Sequence, residues 1–169
     1  GWITYVRDLG ADKYLELQST NAAGTSVNFW DNTNPTSSVF TMKAGSVITG
    51  GANFVAYCFK SIDGFSKFGS YEGNGSADGP IIETGFEPAF LMVKQTNDIS
   101  NWVIVDNKRS TTNPRDKGLR PNTTDTESTV SNNLVVDFLS NGFQLKQTSG
   151  SNANNGNFIY MAFAADPDT

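Results

Sequence analysis

Few residues of this sequence are suited to catalysis. The chain contains no histidine, so the commonest general base and zinc ligand is missing. Its one cysteine, Cys58, lies in an apolar run and is expected to pack as a small hydrophobic side chain. Glu83 and Glu87 are the nearest carboxylate pair for glycoside hydrolysis, but on one strand they would both point along one edge. The sequence therefore predicts a protein that is not an enzyme and needs no cofactor.

The glycine-rich stretch FGSYEGNGSADGP, residues 68–80, is the nearest candidate for a phosphate-binding or sugar-binding loop. It lacks the lysine and the following helix that a phosphate-binding loop requires. Its Glu72 and Asp78 could supply oxygen ligands to calcium, but the spacing of an EF-hand is absent. We interpret the stretch as a strand followed by a tight polar loop. No metal ligands are predicted, and calcium binding stays an open alternative.

Five of the 12 basic residues lie in one polar stretch between residues 106 and 141: Lys108, Arg109, Arg115, Lys117 and Arg120. A basic loop on an acidic protein could hold an acidic glycan or a neighbouring subunit, because arginine side chains pair well with carboxylates. A solvated loop is the other interpretation. Arg109, Arg115 and Arg120 are therefore candidate contacts with a ligand or a partner.

The overall composition limits the partners. The net charge is −5 and charged residues make up 17% of the chain, which argues against binding to nucleic acid or to an anionic membrane surface. No apolar run is long enough to span a bilayer, and the first residues do not resemble a signal peptide. We expect a mature or internal fragment that forms one domain or two intertwined halves.

The apolar runs are short, rich in aromatic and β-branched residues, and bounded by Gly, Asn, Asp and Ser. This pattern predicts an all-β antiparallel sandwich or barrel without a convincing helix. The motif SNG at residues 140–142 predicts a hairpin turn between two strands. The predicted strands are residues 2–6, 14–18, 39–42, 54–59, 67–71, 80–83, 89–94, 102–106, 134–139, 142–146 and 158–163.

One segment of the sequence occurs nearly twice, as NFVAYCF at residues 53–59 and as NFIYMAF at residues 157–163. Earlier in each copy, Trp2 matches Phe90 and Tyr14 matches Trp102, both 88 residues apart (90 − 2 and 102 − 14). The doubled segments are 104 residues apart (158 − 54), so the second copy carries 104 − 88 = 16 extra residues, which fall between 106 and 141. We predict an internal duplication, with repeats at about 1–60 and 90–165 joined by residues 61–89, stacked around a shared core.

The doubled segment is apolar at successive positions, so a strand formed from it would present apolar side chains on both faces. A sandwich strand normally has one polar face. We therefore expect the outer face of these strands to be covered, either by a long loop of the same chain or by another subunit.

Five stretches in order resemble a known family: KFGSYEGNGSADGP, TGFEPAFLMVK, WVIVDNKR, DFLSNGFQLK and FIYMAFA. They resemble a repeated β-sandwich domain of tail-fibre-like and other virion surface proteins of tailed phages that infect marine bacteria, including cyanobacteria. The N-terminal part of the chain is similar to the same family. The resemblance implies a jelly-roll sandwich related in shape to concanavalin-like lectins, and no catalytic residues.

The resemblance also implies a virion structural or adhesive module at the particle surface, in a tail fibre or as capsid decoration. The implied partners are other virion proteins, further copies of the chain, and a host-surface glycan. A secreted lectin-like domain that binds or cleaves carbohydrate is the alternative.

Specificity in such a module is expected in the polar loops that a rigid sandwich presents. Trp30 and Asp31 lie in one polar loop, where an exposed indole could stack on a sugar face; burial of Trp30 in the core is the other interpretation. Tyr71 and the arginines Arg109, Arg115 and Arg120 complete the candidate contacts.

Overall fold

The computed structural model describes residues 1–45, 50–129 and 134–165 and contains only β-strands, turns and two short 3-10 turns, Arg7–Leu9 and Gly150–Asn152. All strand pairs are antiparallel, which confirms the predicted all-β class and sandwich-like arrangement. The strands are β1 (Ile3–Thr4), β2 (Lys13–Glu16), β3 (Gly24–Thr25), β4 (Ser66–Glu72), β5 (Ile81–Glu83), β6 (Pro88–Gln95), β7 (Val103–Asp106), β8 (Lys117–Leu119), β9 (Ser128–Thr129), β10 (Val136–Leu139), β11 (Gly142–Leu145) and β12 (Asn157–Ala164).

The strands form three sheets stacked in layers. The central sheet has six strands in the order β4-β12-β6-β7-β8-β9. The N-terminal sheet, β1-β2-β3, lies on one of its faces, and the C-terminal sheet, β10-β11-β5, lies on the other. The last strand, β12, therefore occupies the middle of the molecule, between β4 and β6 along its edges and between two layers above and below.

The main core lies between the central and C-terminal sheets. Alternate residues of β12, such as Phe158 and Tyr160, point into it, as the two-residue period of a strand requires. The buried residues of this core include Leu91, Val93, Val103, Val105, Val136, Phe138, Phe143, Leu145 and Ala162.

A smaller core lies on the opposite face of the central sheet. Leu15 of the N-terminal sheet is fully buried against Trp102 and Ile159. The indole N–H of Trp102 donates a hydrogen bond to the backbone carbonyl of Glu16 at 3.1 Å. The ammonium group of Lys94, whose side chain is fully buried, donates to the carbonyl of Thr20 at 3.3 Å. The outer face of β12, expected to need a cover, is covered in part by the first 17 residues of the same chain.

The predicted hairpin at residues 140–142 is confirmed, with Leu139 of β10 opposite Gly142 of β11. Gly142 does not have a positive φ angle, the usual reason for a glycine at a tight turn. A Cβ atom on Gly142 would lie only 2.1 Å from the carbonyl oxygen of Ile82 in β5. Glycine is required here because a neighbouring backbone approaches closely.

Two predicted strands are wrong. Residues 54–59 are exposed along their whole length and form no strand, and residues 39–42 form none either. In both places the apolar residues are present, but no described strand lies in register beside them, and an unpaired strand is not stable in water. Conversely, β3, β8 and β9 were missed because their residues are mostly small or polar.

The sequence match relates β1 to β6 and β2 to β7. In the structure β1 and β2 are antiparallel neighbours, and so are β6 and β7. Their registers differ by one residue, because Ile3 lies opposite Glu16 whereas Leu91 lies opposite Val105. The 16 extra residues of the second copy fall in the stretch that holds β8 and β9. The division of the chain into two repeats stays a prediction, supported by the matched pairs and by their contact through Leu15.

Candidate functional site

The three candidate arginines are engaged within the chain. The Nε atom of Arg109 lies 3.0 Å from a carboxylate oxygen of Glu127, and the guanidinium also pairs with Asp106. Burial alone would raise the pKa of Asp106, but hydrogen bonds from the backbone N–H groups of Arg109 and Lys108 and from the Arg109 side chain lower it below its ordinary value. Arg109 thus stabilises the turn after β7.

Arg115 is almost completely buried. Its guanidinium lies 5.3 Å from the centre of the Phe138 ring and donates a hydrogen bond to the carbonyl of Ser110. Arg120 pairs with Asp125 at 3.1 Å. These contacts fix the long connection between β7 and β10, and they leave the charge of Arg115 inaccessible to a ligand.

Trp30 is buried, the second of the two interpretations of this residue, with 7% of its surface exposed. Its indole N–H donates to the carbonyl of Lys13 at 3.0 Å, and its ring meets the ring of Tyr5 edge to face at 5.6 Å. The exposed Asp31 follows it and pairs with Lys43 at 3.3 Å. Trp30 is therefore a support beneath Tyr5 and does not itself present a face to solvent.

Tyr71 lies in β4 and faces the main core. Its ring stacks on Phe158 at 5.0 Å with 14° between the planes, and its hydroxyl donates to the carbonyl of Ser151 at 2.8 Å. Burial raises the pKa of Tyr71 well above its ordinary value. This residue has a structural role, and the structure does not bring it together with the arginines or with Trp30.

A small cleft opens beside Trp30. It has a volume of about 260 Å³ and is lined by Tyr5, Arg7, Asn34 and Pro35. Tyr5 follows β1 directly, and Arg7 begins the first 3-10 turn. The cleft combines the apolar surfaces of Tyr5 and Pro35 with an exposed cation and an amide, so it offers a small ligand both apolar contact and polar groups.

The loop that follows Trp30 brings Asn34 to Tyr5. Asp31 and Asn32 have positive φ angles of 48° and 50°, a conformation that Asp and Asn tolerate better than most residues. The N–H of Thr33 closes the turn on the carbonyl of Trp30 at 3.0 Å. The Tyr5 hydroxyl then donates to the Oδ1 atom of Asn34 at 3.2 Å.

The electrostatics of the cleft keep Tyr5 protonated. Burial raises the pKa of the Tyr5 hydroxyl, Arg7 opposes that shift, and Asp8 adds to it. The hydroxyl is therefore a neutral hydrogen-bonding group at physiological pH, and it keeps an acceptor position for a ligand. Arg7 supplies the positive charge of the cleft and would favour a ligand that carries a carboxylate.

A second cavity, of about 360 Å³, lies where the turns at Gly64, Gly85 and Ser140 meet the end of β12. Phe86, Glu87, Ala164 and Ala165 complete its lining, so Glu87 is its one charged side chain. Four of its seven lining residues are glycine or alanine, so it offers few functional side chains. The cleft at Tyr5 offers more convergent side-chain chemistry, although it is the smaller of the two.

Sequence reasoning placed Trp30 and Asp31 in the right loop but missed the four residues that line the cleft. A signal was present in the sequence. Tyr5 lies near the end of the predicted strand at residues 2–6, and Arg7 directly follows that strand. Asn34 and Pro35 form a typical turn pair. What the sequence did not show is that the two segments, about 30 residues apart, meet.

In residues 1–45, 50–129 and 134–165, no three side chains of the types His, Cys, Asp and Glu lie close enough together to hold a metal ion. The same part of the chain has no helix with the length and apolar character needed to cross a membrane.

Fold and cleft together define an all-β sandwich-like domain with a loop-borne polar site. Residues 1–167 match the family described as Domain of unknown function (DUF7483), and the chain belongs to that family. No curated protein and no solved structure shows a significant match.

Proposed function

We propose that this chain is a non-enzymatic structural and adhesive module of a phage virion surface, in a tail-fibre-like or capsid-surface protein. In this proposal the cleft lined by Tyr5, Arg7, Asn34 and Pro35 binds a host-surface glycan. The finer jelly-roll or concanavalin-like topology belongs to the same proposal, and the antiparallel layers support it.

The observation that carries the proposal is the way the cleft is built. Its polar groups come from two loops, and both loops are anchored to the N-terminal sheet through the buried Trp30. A rigid β scaffold that holds a few polar groups around an aromatic ring suits a sugar, whose hydroxyls need hydrogen bonds and whose carbon face needs apolar contact. The exposed Arg7 makes an acidic sugar the better fit.

The test is binding to an array of neutral and acidic glycans. We expect acidic glycans to bind, and Arg7→Gln to weaken that binding at least tenfold, or about 1.4 kcal/mol. Tyr5→Phe keeps the ring on Trp30 but removes the hydroxyl, and we expect a smaller loss. Lys108→Gln is the matched control, because it removes an exposed cation outside the cleft.

Unchanged binding by Arg7→Gln, or no binding to any glycan, would reject the adhesive role of the cleft. Release of sugar from host envelope material would instead support the alternative of a secreted carbohydrate-cleaving domain. Labelling of intact particles with an antibody against the chain tests the virion location independently of the ligand.

Binding to another virion protein is a second candidate role, and a separate observation favours it. Residues 53–59 expose several large apolar side chains side by side. Contiguous exposed apolar residues are typical of protein interfaces.

A further inference from the structure

The exposed apolar segment, residues 53–59, contains no charged residue. The exposed fractions of its large side chains are 48% for Phe54, 68% for Val55, 70% for Tyr57 and 59% for Phe59. Single exposed apolar residues are ordinary on a protein surface, but four within six positions are not.

The matching strand β12 shows which environment this sequence suits. Residues of β12 pair with β4 along one edge and with β6 along the other, over nearly its full length. Its two faces lie against the main core and the smaller core. The apolar segment carries the side chains of such a central strand, but no described strand pairs with it.

The segment also lies beside the outermost strands of two sheets. The rings of Tyr57 and Trp2 are 5.6 Å apart, and Trp2 directly precedes β1, the outermost strand of the N-terminal sheet. The rings of Phe59 and Phe68 are 6.0 Å apart, and Phe68 lies in β4, the outermost strand of the central sheet. The outer edge of β1 has no paired strand among the described residues, whereas the edge of β4 is bonded to residues 60–62 at Ser66 and Phe68. An open strand edge next to an apolar segment favours association through an added strand.

The exposed area is close to what a stable dimer needs. Four aromatic side chains on this surface are each about half exposed or more: Trp2, Phe54, Tyr57 and Phe59. An aromatic side chain has a surface of roughly 150–250 Å², so together the four expose about 450 Å². Two copies that meet through this surface would bury about 900 Å² from the rings alone, near the roughly 1,000 Å² expected of a specific interface. Val55 and the backbone add to that area.

Charge also permits a second copy as the partner. Two copies repel each other because each has a net charge of −5, but the apolar segment itself is neutral. The repulsion acts between distant charges and is screened beyond about 10 Å at 0.1 M salt. Added salt is therefore expected to strengthen the association, the opposite of an interface held by ion pairs.

We propose that the apolar segment is the interface through which a second copy of this chain docks, pairing with it edge to edge as a β-strand. The proposal rests on one part of the proposed function, the structural role of the chain in the virion surface. It does not depend on glycan binding in the cleft. A contact between the same surface on both copies is closed, so it produces a dimer and not a filament.

The test measures oligomeric state by sedimentation over a wide concentration range, with reductant present. We expect a reversible dimer that Val55→Lys weakens at least tenfold, since each copy then places a charge in the apolar contact. Ile99→Lys is the matched control, because Ile99 is 72% exposed and lies far along the chain from the segment. Cys58→Ser must still form the dimer, which excludes a disulfide-linked product.

The rate at which a thiol reagent modifies Cys58 gives a second measurement, because this exposed thiol is the single cysteine of the chain. We expect the rate to fall as the dimer forms. Three results would overturn the proposal: a monomer at every concentration, a dimer that Val55→Lys leaves unchanged, or a thiol already protected in the monomer. The last would mean that the chain covers the segment by itself. Glycan binding by a monomeric Val55→Lys protein would show that the adhesive role stands even if the interface does not.

Discussion

The strand β12 and the apolar segment, residues 53–59, have nearly the same sequence but opposite environments. Phe158 is 1% exposed in the main core, whereas the matching Phe54 is 48% exposed. The difference lies in the neighbours, since β12 has β4 and β6 beside it and the segment has no paired strand among the described residues. Apolar alternation thus specifies the capacity to form a strand, and adjacent strands decide whether one forms.

The largest expected difference between the two regions is at the matched phenylalanines. Phe158→Ala removes a buried ring and should lower the free energy of unfolding by about 3–5 kcal/mol. Phe54→Ala should change it by less than about 0.5 kcal/mol, as is usual for surface positions. Chemical denaturation at a protein concentration where the chain is monomeric measures both. Equal losses would mean that residues 53–59 are packed as tightly as β12.

This contrast explains how far the sequence could be read. The aromatic and β-branched runs predicted nine strands near their observed positions, because those runs find partners. The same kind of run failed at residues 54–59, where the deciding factor is a neighbour that sequence periodicity does not reveal. The short strands β3 and β8 were missed because their pairing depends on backbone hydrogen bonds and not on apolar side chains.

The site was less predictable than the fold. Arg109, Arg115 and Arg120 have the composition of a binding loop, but each has an intramolecular partner that only the fold places beside it. Trp30 marked the correct loop, and its own burial brings Tyr5 into the cleft. Residue types could indicate candidates, but contacts between distant segments determined which of them are accessible.

A second comparison concerns another matched pair of the two predicted repeats, Val6 and Lys94, which are 88 residues apart (94 − 6). Lys94, the match of Val6 in the first copy, is fully buried beneath the N-terminal sheet. Burial lowers its pKa from 10.5 to about 8, and Asp98 opposes the shift. Between these pH values the unfolded chain holds a proton that the folded chain has released, so stability rises with pH.

We therefore expect the free energy of unfolding to increase from pH 8 to about pH 9.5, by at most about 1.4 kcal/mol per pH unit. The range stops below 10, because burial raises the pKa of Tyr71 and Tyr160 and their contribution to stability is lost at higher pH. Denaturation series at several pH values measure the slope, and Lys94→Met should abolish it. A slope that persists in Lys94→Met would assign the effect to other groups.

A third matched pair tests the polarity of the two environments. Ala162 in β12 is fully buried, and its counterpart Cys58 is exposed. Ala162→Ser places a hydroxyl in an apolar core and should cost about 1–3 kcal/mol if the group finds no partner. Cys58→Ser should leave stability unchanged within about 0.5 kcal/mol. Thermal or chemical unfolding of the two variants checks this, and a destabilised Cys58→Ser monomer would place Cys58 in a core.

The smallest difference is expected from the loss of one hydroxyl. Tyr71→Phe removes the hydrogen bond to the carbonyl of Ser151 and leaves the ring stacked on Phe158, so the expected loss is about 1 kcal/mol. Tyr57→Phe removes a hydroxyl that solvent already reaches, and the folded monomer should be unaffected. Because both changes keep the ring, unfolding measurements on this pair separate hydrogen bonding from packing. If Tyr57→Phe lost as much as Tyr71→Phe, the Tyr57 hydroxyl would have a buried partner, and the segment would be part of a sheet within the monomer.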